Sequence, residues 1–122
     1  MEFYRTQKFS KELKRLSKKY RSLANDLEKL ERVLEKLPQG TGSKHWNKLH
    51  CSADSLMIIF KVRLACLSLK GQSSFRVVYA CHIIDNKTVR IDYIELYYKS
   101  EKENEDRDLM KEYIHNRDNL FV

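Results

Sequence analysis

The sequence predicts an α+β domain: an N-terminal strand and helical hairpin packed on a mainly antiparallel twisted sheet, with a C-terminal helix. Three observations carry this. Apolar residues recur at helical spacing through the first third of the chain, the period drops to two from residue 57 onward, and helical spacing with an acidic start returns after residue 100. A length of 122 residues suits one domain with one core, so a single domain over 1–122 is expected. One proline and three glycines argue against a linker-rich or disordered chain.

Residues 2–8, EFYRTQK, read as a short strand. Phe9, Leu13, Leu16 and Tyr20 then line one helical face, with Ser10 as the expected N-cap and Lys11, Lys14, Arg15, Lys18 and Lys19 on the other side. A second helix follows Ser22, with a stripe of Leu23, Leu27, Leu30, Leu34 and Leu37, and PQGTG ends it. The two helices are short-linked and amphipathic, which predicts an antiparallel hairpin laid on a sheet. A coiled-coil dimer is the competing reading, but the first stripe spans only about two turns.

Residues 41–56 read as a loop pinned by Trp46 and Leu49, with basic or potentially basic residues at Lys44, His45, Lys48 and His50. Three runs of period two come next, at 57–67, 74–84 and 88–98, and predict an antiparallel meander. In the first run Phe60, Val62, Leu64 and Cys66 share one parity, opposite Lys61 and Arg63. In the second, Phe75, Val77, Tyr79, Cys81 and Ile83 share one parity, opposite Arg76 and His82. The DNK sequence at 85–87 is a tight turn. Residues 101–117 read as a helix with an apolar stripe of Leu109, Met110, Tyr113 and Ile114, after which Phe121 either packs or frays with 118–122.

The net charge is +7 and unevenly placed: residues 1–50 hold 13 basic against 6 acidic side chains, and the remainder balances. Such a field favours nucleic acid or an acidic protein. Cys51, Cys66 and Cys81 are odd in number and lack metal-ligand spacing, so reduced thiols and no metal or cofactor are expected. No stretch reaches the 18 or so apolar residues of a membrane span, and the first residues lack a signal-peptide pattern. A cytoplasmic protein with no membrane partner is the expectation.

A hairpin through the 69–74 turn puts Lys61, Arg63 and Arg76 on one face, although one residue of register slip moves each side chain through the sheet. Helices on one face would leave these cations on the other, where they would form a phosphate-binding groove.

The segments FSKELKRLSKKY, FKVRLACLSLKGQSSFRVVYACHI and IDYIELYYKSEKENE, in the order strand, helical hairpin, meander, helix, resemble the RelE/ParE superfamily of type II toxin–antitoxin toxins over roughly residues 1–115. The resemblance implies a toxin held by a cognate antitoxin, in a heterotetrameric complex, and most closely the mRNA interferase branch. Its members are ribosome-dependent endoribonucleases acting on mRNA at the ribosome, while others in the superfamily poison DNA gyrase. On this resemblance Lys61, Arg63, Arg76 and Lys99 match the family's basic residues and are the candidate catalytic set. The chain departs from the pattern at Ser100, where ribonuclease members carry arginine, and near Asp106, where the family's tyrosine would fall. Tyr113 or His115 would replace that tyrosine only if the last helix folds back.

Cleavage through 2′-OH attack needs a base, cationic donors around the phosphate and an acid for the leaving oxygen. Arg76 and Arg63 suit the phosphate, Lys61 is a base or a phosphate contact, and Lys99 is a second contact or a leaving-group donor. Lys44, Lys48 and Tyr98 are candidate RNA-binding residues, Tyr98 by stacking. His50 and His82 are further acid–base candidates, with a hydrogen-bonded structural role the plainer reading of His82. Three functions stay open: an mRNA endoribonuclease toxin, a gyrase-directed or non-catalytic binding protein of the same fold, and an accessory RNA-binding module.

Overall fold

A computed structural model describes residues 1–116. The stretch 117–122, including Phe121, lies outside the described residues. A single five-stranded sheet forms the centre, in the order β1-β5-β4-β3-β2. The strands are β1 (Glu2–Arg5), β2 (Trp46–Cys51), β3 (Met57–Cys66), β4 (Gln72–Ile84) and β5 (Lys87–Tyr98). β1 runs parallel to β5, and every other neighbouring pair is antiparallel. The helices are α1 (Gln7–Ser17), α2 (Leu23–Lys36) and α3 (Arg107–Asn116). No helix of the described residues is long and apolar enough to cross a membrane.

The first strand ends at Arg5, short of the expected residue 8, because Thr6 starts the helix. Thr6 Oγ1 accepts from the Phe9 amide at 3.2 Å and donates to the Ile94 carbonyl at 3.1 Å, while its own amide donates to the Tyr93 carbonyl at 3.0 Å. Ser10, the expected cap, lies inside α1. The apolar stripe marks only the buried face, whereas the true cap is chosen by a residue that also bonds to β5.

α1 and α2 form the expected hairpin on one face of the sheet. Phe9, Leu13, Leu16, Leu23, Leu27 and Leu34 pack there against Phe60, Val62, Leu64, Phe75, Val77 and Tyr79. The parity of β3 and β4 is therefore the one their sequences express: side chains two apart share a face. The β4–β5 connection is a two-residue turn in which Asp85 and Asn86 both take positive φ, 51° and 63°. That backbone matches the twist of a tight hairpin and suits Asp and Asn.

The expected loop 41–56 contains β2, an edge strand paired antiparallel with β3. Its composition is polar and its alternation is broken by a bulge between Lys48 and His50, which hides it from a periodicity reading. Exposed Asn47 and Lys48 are ordinary edge-strand residues, since solvated polar side chains discourage further strand pairing. Trp46 anchors the strand: its Nε1 donates to the Tyr79 hydroxyl at 3.1 Å, and that hydroxyl donates to the Pro38 carbonyl at 2.8 Å.

Gly40 lies under this indole with φ +74°, and a Cβ there would stand 2.4 Å from Trp46 Cγ. Gly40→Ala combines left-handed strain with overpacking and is expected to destabilise the fold by about 2 kcal/mol. Chemical denaturation of the variant beside the parent measures this.

α3 begins at Arg107, six residues later than the expected 101, and docks on the face opposite the hairpin. Asp106 caps it, with Oδ1 accepting from the Leu109 amide at 3.0 Å. The acidic start 101–106 is irregular: Glu101 and Glu105 pair with Arg15 and Lys61 of the body, and Asp106 serves as the cap. Met110 and Tyr113 pack on Met57, Ile59, Val78 and Ala80. The sheet is thus covered by the hairpin on one side and in part by α3 on the other.

Candidate phosphate-binding face

Cross-strand register decides which side chains meet. Arg63 on β3 is opposite Arg76 on β4, and Arg76 is opposite Tyr97 on β5. The neighbouring row is Asn47, Lys61, Val78 and Glu95. Both rows lie on the α3 side of the sheet, since Val78 and Tyr97 belong to the cluster under that helix. Lys61, Arg63 and Arg76 are therefore brought together, at the end of the face that α3 leaves open.

The two arginines stand as like charges on adjacent strands. Arg63 is exposed and Arg76 is half-buried. Arg76 Nη1 donates to the carbonyls of Ser73 at 2.7 Å and Phe75 at 3.0 Å, which lays the guanidinium along its own strand. Burial and the neighbouring charge of Arg63 both depress the Arg76 ionisation from its ordinary value. Among the described residues no carboxylate forms an ion pair with either arginine. Like charges directly opposite on a sheet are unfavourable, and an oxyanion between them would relieve the repulsion.

Lys61 is placed differently. Its Nζ donates to Glu105 Oε1 at 2.7 Å, and Arg107 approaches the other oxygen of the same carboxylate at 3.3 Å. Burial acts to raise the Glu105 ionisation, but the bond from Lys61 and the charges of Lys61 and Arg107 outweigh it and hold the carboxyl below its usual range. Lys99 extends the β4–β5 ladder by one step, its amide donating to the Ser74 carbonyl at 2.8 Å, and its Nζ turns onto the Glu103 carbonyl.

The other sequence candidates lie elsewhere. Tyr98 is on the hairpin side, with ring centroids 5.1 Å from Phe75 and 5.2 Å from Tyr20. Lys48 is in register with Phe60 and so projects to that side as well, at the sheet edge. Lys44 is exposed in the turn before β2. His50 is in register with Ile59, on the α3 side but beyond Lys61. His115 is exposed near the end of α3.

His82 and Tyr113 belong to a separate polar cluster. His82 is six residues from Arg76 along β4, roughly 20 Å at about 3.3 Å per residue. Its Nε2 lies 3.0 Å from Asp92 Oδ2 and 2.7 Å from the Tyr113 hydroxyl, and that hydroxyl donates to Asp92. Since the tyrosine hydrogen goes to the carboxylate, the imidazole hydrogen sits on Nε2. Arg90 Nε donates to Asp92 Oδ1 at 2.7 Å, and its guanidinium stacks 4.1 Å above the Tyr4 ring. Burial acts to raise the Asp92 ionisation, but the bonds from His82, Tyr113 and Arg90 prevail and hold it below the ordinary value. These bonds make His82 and Tyr113 anchors of α3 on the sheet.

Glu105, Glu95 and Tyr97 also line the open face, and a reading of the basic residues alone misses them. Glu95, 5% exposed, accepts from Lys102 at 2.5 Å and from the Asp106 amide at 2.9 Å. A signal existed: Asp92 and Glu95 interrupt an apolar strand, and acids inside such a strand call for cationic partners. Cys51, Cys66 and Cys81 are free thiols, and no group of three or more ligating side chains among the described residues is arranged to hold a metal ion. The chain matches no protein-family model, no curated protein and no solved structure.

Proposed function

We propose that this protein binds the sugar–phosphate backbone of RNA at the Arg63–Arg76 face. On this reading it acts as an mRNA endoribonuclease toxin of the RelE/ParE type, restrained by a cognate antitoxin. The observation that carries the proposal is the juxtaposed arginine pair without a carboxylate counter-ion among the described residues. Two guanidinium forks on one open face suit the oxygens of a phosphodiester and the charge that grows on it during 2′-OH attack. Lys61 is already a donor, to Glu105, which suits a phosphate contact rather than a base. The lysine-rich face of α1 supplies a wider positive field for encounter with the ribosome's RNA. An acidic antitoxin segment would bind the same cations and occlude them, in a heterotetrameric complex.

A second reading is a gyrase-directed or non-catalytic protein of the same architecture. It is favoured by the neutralised Lys61, by Ser100, and by the distance of His82 and Tyr113 from the arginines. Induced expression with mapping of new RNA 5′ ends separates the readings. Ribosome-dependent mRNA ends produced by the parent and lost in Arg63→Ala are the expected result. Growth arrest with DNA breaks and no new RNA ends would replace it with the gyrase reading, and no arrest would replace it with an accessory role.

A further inference from the structure

Glu105 is an acidic side chain seated on a cationic face. Its side chain is only 5% exposed, and its two oxygens are divided between Lys61 and Arg107. It belongs to the irregular segment 101–106, three of whose acids meet a cation of the body. Glu101 takes Arg15 at 2.9 Å, and Asp106 takes Lys8 at 3.8 Å. In the return direction Lys102 reaches Glu95 at 2.5 Å. The segment is a strap fastened by ion pairs rather than by regular backbone bonding.

Tyr97 lies on the same face, opposite Arg76 in the ladder. It is 4% exposed, and its hydroxyl is buried with no hydrogen-bond partner. Buried hydroxyls are normally paired, so an orphan at the edge of a charged face points to a ligand. Burial and the nearby carboxylates of Glu105 and Glu95 push its ionisation up to about 12, so it is a donor at neutral pH. The Glu105 carboxylate leaves this donor unused. A phosphodiester has two non-bridging oxygens and can accept from an ammonium and a hydroxyl together.

We propose that Lys61 and the Tyr97 hydroxyl form a phosphate subsite beside Arg63 and Arg76, occupied in the free protein by the Glu105 carboxylate, which an incoming phosphate displaces. The inference rests on the reading of this face as an RNA-binding surface. Lys61 exchanges one anion for another, so its charge is never left bare. In the free protein the Lys61–Glu105 pair is neutral and attracts no phosphate, which makes the strap a built-in competitor of RNA.

The test is binding of the full chain to a single-stranded oligoribonucleotide with 2′-O-methyl riboses, and separately to inorganic polyphosphate, over a series of salt concentrations. Glu105→Gln is expected to tighten binding about three- to tenfold. The slope of log affinity against log salt should steepen by about 0.7, the worth of one single-strand phosphate contact. The gain should disappear in a Lys61→Ala background and shrink in Tyr97→Phe. Glu105→Ala, with a melting curve for each variant, confirms the effect in a second folded chain.

An equal gain without Lys61 would mean a general charge effect and would overturn the subsite. So would unchanged affinity in Glu105→Gln while the parent binds RNA through its arginines. Tyr97→Phe with the full gain would remove the hydroxyl from the subsite. Binding of polyphosphate but not RNA, with the Glu105→Gln gain intact, would overturn the RNA reading and leave the subsite standing. Absence of binding to either probe in every variant would overturn both.

Discussion

If the arginine face cleaves RNA as proposed, Arg76→Ala is expected to reduce that cleavage by about 10²–10³-fold, the usual consequence of deleting one preorganised charge donor at a reacting phosphate. Arg76 is the more committed of the two arginines, because the Ser73 and Phe75 carbonyls hold its guanidinium against the strand. Loss of those bonds also costs stability, about 1 kcal/mol. Arg63→Ala separates the two effects. It removes the proposed phosphate contact but also relieves the cross-strand repulsion, so the folded state should gain a few tenths of a kcal/mol while any RNA binding at this face weakens. Arg76→Lys keeps the charge without the planar fork and should fall between parent and alanine. Cleavage rates beside melting temperatures decide the matter. If Arg63→Ala is more stable and equally active, the pair has no role in phosphate binding.

The second large effect concerns folding. Asp92→Asn is expected to destabilise the protein by about 3–5 kcal/mol, the typical cost of breaking a buried ion pair from one side. Asp92 is fully buried, and its carboxylate is the common acceptor of Arg90, His82 and Tyr113. An amide has one acceptor oxygen for these donors, and its own NH₂ would face Arg90 or His82. The pH dependence has a definite sign. The folded-state ionisation of Asp92 lies below its unfolded value, so its contribution is fully present above the unfolded value of about 4 and is lost as pH falls through the lower folded value. Glu101, Glu105 and Asp106, also held below their usual range, contribute in the same direction. Denaturation curves from neutral to acid pH should show the parent losing stability below about pH 4, and Asp92→Asn losing less over that interval. An equally steep loss in the variant would mean that the carboxylate does not carry the effect.

The two networks divide the α3 face between them. The His82–Asp92–Tyr113 cluster fixes α3 at one end of β4, and the ion-paired strap ends beside the arginines at the other. Exposure of the arginine end depends on this division, because α3 lies over Met57, Ile59 and Ala80 and leaves Arg63 exposed.

The amino-acid sequence by itself determined the α+β class, the helical hairpin and the three long strands, whereas the β3–β4 register that puts Arg76 on the face of Lys61 and Arg63 came from the structure. The class, the hairpin and the strands follow from local periodicity and short turns, which nearby residues control. Tertiary structure alone decided the rest. β2 escaped notice because an edge strand needs no apolar alternation. The cap passed from Ser10 to Thr6 because only Thr6 also bonds to β5. Tyr97 rather than Tyr98 stands beside Arg76 because β5 is irregular where Val78 pairs with Glu95 and Tyr79 with Tyr93. Ile94 is then the extra residue, and parity reverses beyond it. Glu105 reached Lys61 across 44 residues of chain, through a strap whose path no local pattern encodes. Periodicity reports which side of an element is wet, whereas the partner of a buried charge is chosen by the whole fold.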